Sequence, residues 1–224
     1  MFAKLRASPH LISDTDRFCP PNSCHNAAEL VGAASGRDPM NIDTRNGWPD
    51  DLRVLLRAHP REAWKACGSA MVDFWLAQHD FFRRQCAALR AAADDFRAGH
   101  NAPSEFCASV TPQLHGFLDH VHGHHQVEDF HYFPVFRAAE RRLASGFDVL
   151  ARDHELIHAS LEETIAAINE FVAAVRNHAP ENDAARRRAS ERYLDVGERL
   201  YKRLMRHLDD EEDLVIPFML AHGH

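Results

Sequence analysis

The sequence predicts an all-α fold, an antiparallel up-down four-helix bundle behind an irregular N-terminal extension. Three observations support this. From Trp64 onward, apolar residues recur at spacings of three and four, the mark of helices with one buried face. Clusters of glycine, proline, serine and asparagine divide this region into four long stretches joined by short connections, which sets consecutive helices antiparallel. Residues 1–47 show little periodicity and carry turn formers instead: Pro9, Pro20-Pro21, Gly32, Gly36, Pro39 and Asn46-Gly47.

The division expected is residues 1–60 as an irregular arm with a short helix and 61–224 as the bundle. Within the arm, Cys19-x-x-x-x-Cys24-His25 has the look of half a metal knuckle, but no second half follows, so two incidental thiols are the simpler reading. The short helix is placed after Pro49, over 50–57. The first long helix is expected over 62–97, with Met71, Trp75, His79, Phe82, Cys86, Leu89, Ala93 and Phe96 on one stripe. Gly99 to Ser104 breaks it, and Ser104 is a candidate N-cap for a second helix over 104–142, bent at Pro112 and Pro134. Its stripe is Val110, Leu114, Phe117, Val121, His124, Glu128 and His131. Ser145-Gly146 is read as the break before a third helix, 147–177, with Leu150, His154, Ile157/His158, Leu161, Ile165, Ile168 and Val172 in register. Asn177 to Asn182 separates it from the last helix, 183–221, whose stripe is Tyr193, Leu200, Leu204, His207, Glu211, Leu214 and Phe218.

Composition narrows the function classes. Of 224 residues, 45% are hydrophobic, enough for a real core, and the net charge of -7 argues against nucleic acid. The run Arg186-Arg187-Arg188 faces Glu181, Asp183 and Glu191, so a solvated helix face explains it. No apolar run reaches the length of a bilayer span, and no signal-peptide pattern opens the chain, so no membrane partner is expected. The 5 cysteines are odd in number and scattered, which fits a cytoplasmic protein with reduced thiols.

Histidine is the outlier, at 17 residues. Each predicted stripe carries polar residues where periodicity asks for apolar ones: His79, then His124-x-x-x-Glu128, His154-x-x-x-His158 and His207-x-x-x-Glu211. Residues four apart share a helix face, so each pair can aim two donors at one point. Buried carboxylates and imidazoles cost several kcal/mol each if unpaired, on the order of what a domain can spare, so a shared multivalent cation is the economical explanation. Singly each feature has a bland reading: His79 as a core histidine, His154/His158 on a wet face, and Asp209 to Asp213 as a solvated acidic run. Their coincidence on four inward stripes favours the metal. The donors exceed what one ion takes, and nitrogen plus carboxylate oxygen without thiolate suits iron, with manganese the other candidate. Trp75, Phe81, Phe82, Phe117 and Phe130 are expected to keep the site dry.

The stretches His124-His125-Gln126-Val127-Glu128-Asp129-Phe130-His131-Tyr132-Phe133-Pro134 and His207-Leu208-Asp209-Asp210-Glu211-Glu212-Asp213-Leu214-Val215-Ile216-Pro217, with His154-Glu155-Leu156-Ile157-His158, resemble the hemerythrin-like family, or HHE cation-binding domain, over about 64–220. The resemblance implies a non-haem di-iron centre: His79, His124, His154, His158 and His207 as terminal ligands, Glu128 and Glu211 as bridges, and a bridging oxo or hydroxo group. One open position would then serve dioxygen, peroxide or nitric oxide. His125 competes with His124 for the second-helix place, with Asp129 then standing where Glu128 would. The oxygen-carrying hemerythrins have an aspartate five residues after the last histidine. Here Glu212 stands at that position and Glu211 one earlier, and Glu211 is preferred because it keeps the stripe. A ferritin-type site from Glu128-x-x-His131 and Glu155-x-x-His158 is the alternative metal reading, disfavoured because Glu155 leaves its stripe. The expected function is to bind or reduce small oxygen or nitrogen species. An enzymatic peroxide- or nitric-oxide-consuming activity is left open, and iron storage or iron/oxygen sensing without turnover is the alternative.

Overall fold

The computed structural model describes residues 38–177 and 182–223, and among them every regular element is helical. The order is α1 (Val54–Ala58), a 3-10 turn (Arg61–Ala66), α2 (Ala70–Arg97), α3 (Pro103–Val127), a π-turn (Glu128–Tyr132), α4 (Phe133–Ala139), a second 3-10 turn (Arg141–Leu143), α5 (Ala144–Arg176) and α6 (Asp183–His222). The compact unit holding them runs from Asp38, so the segment ahead of α2 belongs with the helices that follow it. The Cys19/Cys24 pair and most of the Asn177–Asn182 break lie outside the described residues.

Local chemistry explains the boundaries. The expected helix over 62–97 is split, because Gly68 takes a left-handed φ of 69° and Ser69 Oγ accepts from Val72 N at 3.3 Å, a new N-cap. Pro103, not Ser104, opens α3: its missing N–H costs nothing in the first turn, and Glu105 Oε2 accepts from Ala102 N at 3.1 Å. Pro134 likewise falls in the first turn of α4, where it begins a helix instead of bending one. Ser145-Gly146 is not a break. It sits inside the first turn of α5, and Gly146 is there for close packing, since a Cβ on it would meet Leu214 Cδ1 at 2.7 Å.

The four long helices pack as a ring of neighbours: α5 against α6 and α3, and α2 against α3 and α6. Their apolar faces make two separate cores. One gathers Phe82, Cys86, Phe117, Val121, Ile157, Leu204 and Leu208 with residues further from the site, such as Phe106 and Phe171. The other gathers Trp75, Phe133, Phe147, Leu150, Leu214 and Phe218, and takes in Trp48, Leu52, Leu55 and Trp64 from the preceding segment. Between them every long helix carries polar residues, so the hydrophobic interior is cut by one polar layer.

Candidate metal centre

The layer is built from two groups of donors. His79 (α2), His124 (α3), Glu128 (π-turn) and Glu211 (α6) bring one ligand atom each within 4.8 Å of one another, and so do His125 (α3), His154 (α5) and His207 (α6). The two carboxylates face both groups. Glu128 Oε1 lies 2.9 Å from His124 Nε2, and its Oε2 lies 3.6 Å from His154 Nε2. Glu211 Oε1 lies 3.4 Å from His79 Nε2, and its Oε2 lies 3.1 Å from His207 Nε2. His154 Nε2 and His207 Nε2 are 3.0 Å apart.

α3 supplies one donor to each group from two successive residues. An α-helix steps 100° per residue, so His124 and His125 point to adjoining quadrants of the interior. After Glu128 the chain takes five residues, not three or four, to reach its next buried position, Phe133. The simple periodicity therefore fails here. His131, placed on the stripe by sequence, is exposed, and Phe130, expected to dry the site, is 74% exposed. Met71 is also displaced from its expected place, 36% exposed, because Val72 takes the buried position beside Trp75. Trp75 and Phe82 do wall the site, with ring centroids 6.5 and 4.9 Å from that of His124, and Phe133 stacks 5.4 Å from His154.

Behind the inner donors stands a ring of polar partners. Glu212 Oε1 is 3.0 Å from His79 Nδ1, Asp129 Oδ1 is 2.8 Å from His154 Nδ1, and Asp153 Oδ2 is 3.6 Å from His207 Nδ1. His158 belongs to this ring. The sequence counted it as a terminal ligand, but its Nε2 lies 3.1 Å from His125 Nδ1, and it stands outside both groups of donors. Its place inward is taken by His125, which is fully buried. Glu211 is grouped with His79, His124 and Glu128, and Glu212 stands behind His79. Glu155 and His131, needed for a ferritin-type site, are both exposed.

The acidic run that could have been a solvated face is largely buried, and each member has a partner. Asp209 meets Arg83 at 2.8 Å, Asp210 meets Arg45 at 2.7 Å, Glu212 meets Arg83 at 2.6 Å and Asp213 meets Arg61 at 2.7 Å. Sequence reasoning passed over Asp153, Asp210 and these arginines. Asp153 could have been found, since it continues the 150/157 stripe; Arg45 gave no local signal.

Burial dominates the electrostatics of the layer. Burial holds His124 down at about 3 and, with the neighbouring imidazoles, holds His125 well below the usual range. Burial and the facing Glu211 push Glu128 well above the carboxylate range. Burial works against ionised Glu211, yet His79 and His207 pull it well down, and burial opposes charge on His207, yet Asp153 and Glu211 lift it to about 9. The layer thus opposes charge on His124, His125 and Glu128 and favours it on His207 and Glu211. It leaves His79 Nε2, His124 Nε2, His125 Nε2, both Glu128 oxygens and Glu211 Oε2 buried with no hydrogen-bond partner. Buried polar groups are rarely left so, and every one of these atoms is a good donor for a divalent or trivalent first-row metal. The residues present fit such ions.

A cavity of about 260 Å³ reaches this layer from outside, lined by Phe74, Trp75, Gln78, Gly123, His124, Val127, Glu128 and Tyr132 among others. Among the described residues, no helix is long and apolar enough to cross a membrane, and Cys67, Cys86 and Cys107 are free thiols.

No curated protein and no solved structure matches the chain. A family model, the hemerythrin HHE cation binding domain, matches residues 70–219, which span α2 to α6 and every donor in the layer. The chain belongs to the hemerythrin HHE cation-binding family.

Proposed function

We propose that the polar layer of an up-down antiparallel four-helix bundle holds two iron ions, and that this centre binds or reduces dioxygen, peroxide or nitric oxide. The observation that carries the reading is the placing of Glu128 and Glu211, each with one carboxylate oxygen toward either group of donors. Such placing suits a pair of ions sharing two bridges. The inner set would be His79, His124 and the bridges for one ion, and His125, His154 and His207 with the bridges for the other. It has five imidazoles, as the resemblance implied, with His125 standing for His158. Nitrogen and carboxylate donors without thiolate favour iron, then manganese, over structural zinc.

Iron bound there supplies a redox-active Lewis acid for small oxygen and nitrogen species. The chain's own residues do the rest. Trp75 Nε1 donates to Glu211 Oε1 at 2.8 Å and orients that bridge. Glu212 and Asp129 hold the Nδ1 atoms of His79 and His154, turning each Nε2 inward. Phe82, Phe133 and Trp75 exclude bulk water, and the cavity beside His124 and Glu128 admits a small ligand on that side. Among the described residues Cys67, Cys86 and Cys107 are free thiols, and the cytoplasm is the compartment we assign.

The test is elemental analysis followed by optical spectroscopy. About two irons per chain are expected; one zinc per chain, or no metal after anaerobic iron loading, would overturn the proposal. The reduced protein is then exposed in turn to dioxygen, peroxide and nitric oxide. A reversible adduct identifies a carrier and turnover an enzyme, whereas intact iron with no spectral response identifies storage or sensing.

A further inference from the structure

We infer that Arg45, contributed from ahead of the family domain, is a positioning residue of the metal centre. It sets the Asp153 carboxylate behind His207 and so governs how firmly the ion on the His125, His154 and His207 side is kept. The inference rests on the proposed pair of ions.

Arg45 lies outside residues 70–219, yet it is only 4% exposed. Its Nη1 donates to Asp153 Oδ1 at 3.0 Å and its Nη2 to Asp153 Oδ2, a two-point fork on one carboxylate. Its Nε donates to Asp210 Oδ2 at 2.7 Å, and Nη1 also reaches Met40 O at 3.1 Å. Trp48 lies beneath the guanidinium, 5.2 Å to its ring centroid, and Trp48 Nε1 donates to the Asp210 carbonyl at 2.6 Å. Asp153 immediately precedes His154 on α5, and Asp210 immediately precedes Glu211 on α6. One guanidinium therefore ties together the two helices one residue before a donor on each.

The arrangement repeats elsewhere in the layer. Arg83 holds Glu212, which meets His79 Nδ1 at 3.0 Å; Arg45 holds Asp153, which faces His207 Nδ1 at 3.6 Å. His207 Nδ1 has no hydrogen-bond partner at that distance, so Asp153 is the group a small turn of the ring would engage. A carboxylate behind a ligating imidazole fixes the ring and raises its basicity, and its loss weakens metal affinity about 10–100-fold. A purely structural ion pair would instead change stability alone.

The experiment compares the iron-loaded full chain with Arg45→Lys, Asp153→Asn and Arg203→Lys. Lysine keeps the charge but cannot make the fork, and asparagine keeps the shape and leaves Arg45 its partner Asp210. Arg203 anchors the same preceding segment through Asp43 at 2.7 and 2.8 Å, and it touches none of the groups behind the imidazoles. The readouts are iron per chain, the time course of extraction by an iron(II) chelator, the reduction potential and the thermal melt. The expected result is two irons in each variant, with one ion leaving about 10–100-fold faster in Arg45→Lys and Asp153→Asn and a shifted potential, while Arg203→Lys extracts like the parent. Unchanged extraction in both test variants, or equal acceleration in Arg203→Lys, overturns the inference. Should Arg45→Lys fail to fold, Asp153→Asn decides. A parent protein that takes up fewer than two irons refutes the centre itself, a result visible before any variant is made.

Discussion

Trp75 Nε1 donates to Glu211 Oε1 at 2.8 Å across the polar layer, so an α2 indole holds an α6 carboxylate that both donor groups share. The bond satisfies one buried oxygen of a residue that is 0% exposed. Trp75→Phe keeps most of the apolar bulk and leaves that oxygen without its donor. In the metal-free protein it is expected to cost about 1–3 kcal/mol in chemical denaturation. A loss within error of zero would show that the indole only fills space.

The inner and outer places of His125 and His158 make opposite predictions for alanine variants. His125→Ala removes an inward donor and is expected to leave about one iron per chain by elemental analysis. His158→Ala removes only the partner of His125 Nδ1, so both irons remain, held about 10–100-fold more weakly in chelator competition. The reverse pattern would return His158 to the inner set.

Gly146 lies in the first turn of α5 with Leu214 Cδ1 2.7 Å from where a Cβ would stand. Alanine gains about 1 kcal/mol of helix propensity and asks one buried methyl to shift, so Gly146→Ala is expected near neutral. Gly146→Leu gains nearly as much propensity but drives a bulky side chain against Leu214 and Leu52, and is expected to cost about 1–3 kcal/mol by overpacking, with iron content unchanged. Urea unfolding of the two variants measures the difference, and equal stability would contradict the close approach.

The pH dependence of the metal-free protein follows from opposed imidazoles. Burial keeps His124 neutral down to about 3 in the fold, whereas in the unfolded chain it takes a proton near pH ~6.5. The unfolded state thus binds more protons below that point, and stability falls with falling pH. His207 acts in the other direction. Burial opposes its charge, but Asp153 and Glu211 lift it to about 9, so its contribution is present below the unfolded value and is lost as pH rises through about 9. Stability is therefore expected to peak near pH ~6.5–7 and to decline on both sides. Bound metal replaces the His207 proton and should flatten the alkaline limb. Denaturation midpoints against pH, with and without iron, test this; an unchanged alkaline limb on loading would contradict it.

The cavity beside His124 and Glu128 has Gly123 in its lining, with open space where a Cβ would stand. Gly123→Leu is expected to slow the association of nitric oxide or azide with the reduced protein and to leave iron content unchanged. Stopped-flow rates equal to those of the parent would show that ligands enter by another route.

Much of this architecture was legible because it is local. The spacing of three and four marked α2, α3, α5 and α6, and the i, i+4 pairs His124/Glu128 and His207/Glu211 share a face wherever the helix lies. What periodicity missed sits where the helix departs from 3.6 residues per turn. Across the π-turn, His131 and Phe130 swing to solvent while Phe133 moves in, so a stripe extended through Glu128 is wrong beyond it. Ser145-Gly146 misled for a different reason: a glycine required for close packing looks, in one dimension, like a glycine that ends a helix.

By itself the sequence determined that four helices would each bury polar donors, and which residues on each helix could do so, because side-chain direction on a helix depends only on neighbours a turn away. The tertiary structure decided which of these donors meet. It turned His125 inward and set His158 behind it, aimed Glu128 and Glu211 at both groups, and brought Arg45 to Asp153 from 108 residues away in the chain. Those outcomes depend on how far each helix is rotated against its neighbours and on contacts between distant segments, and no local pattern carries that information.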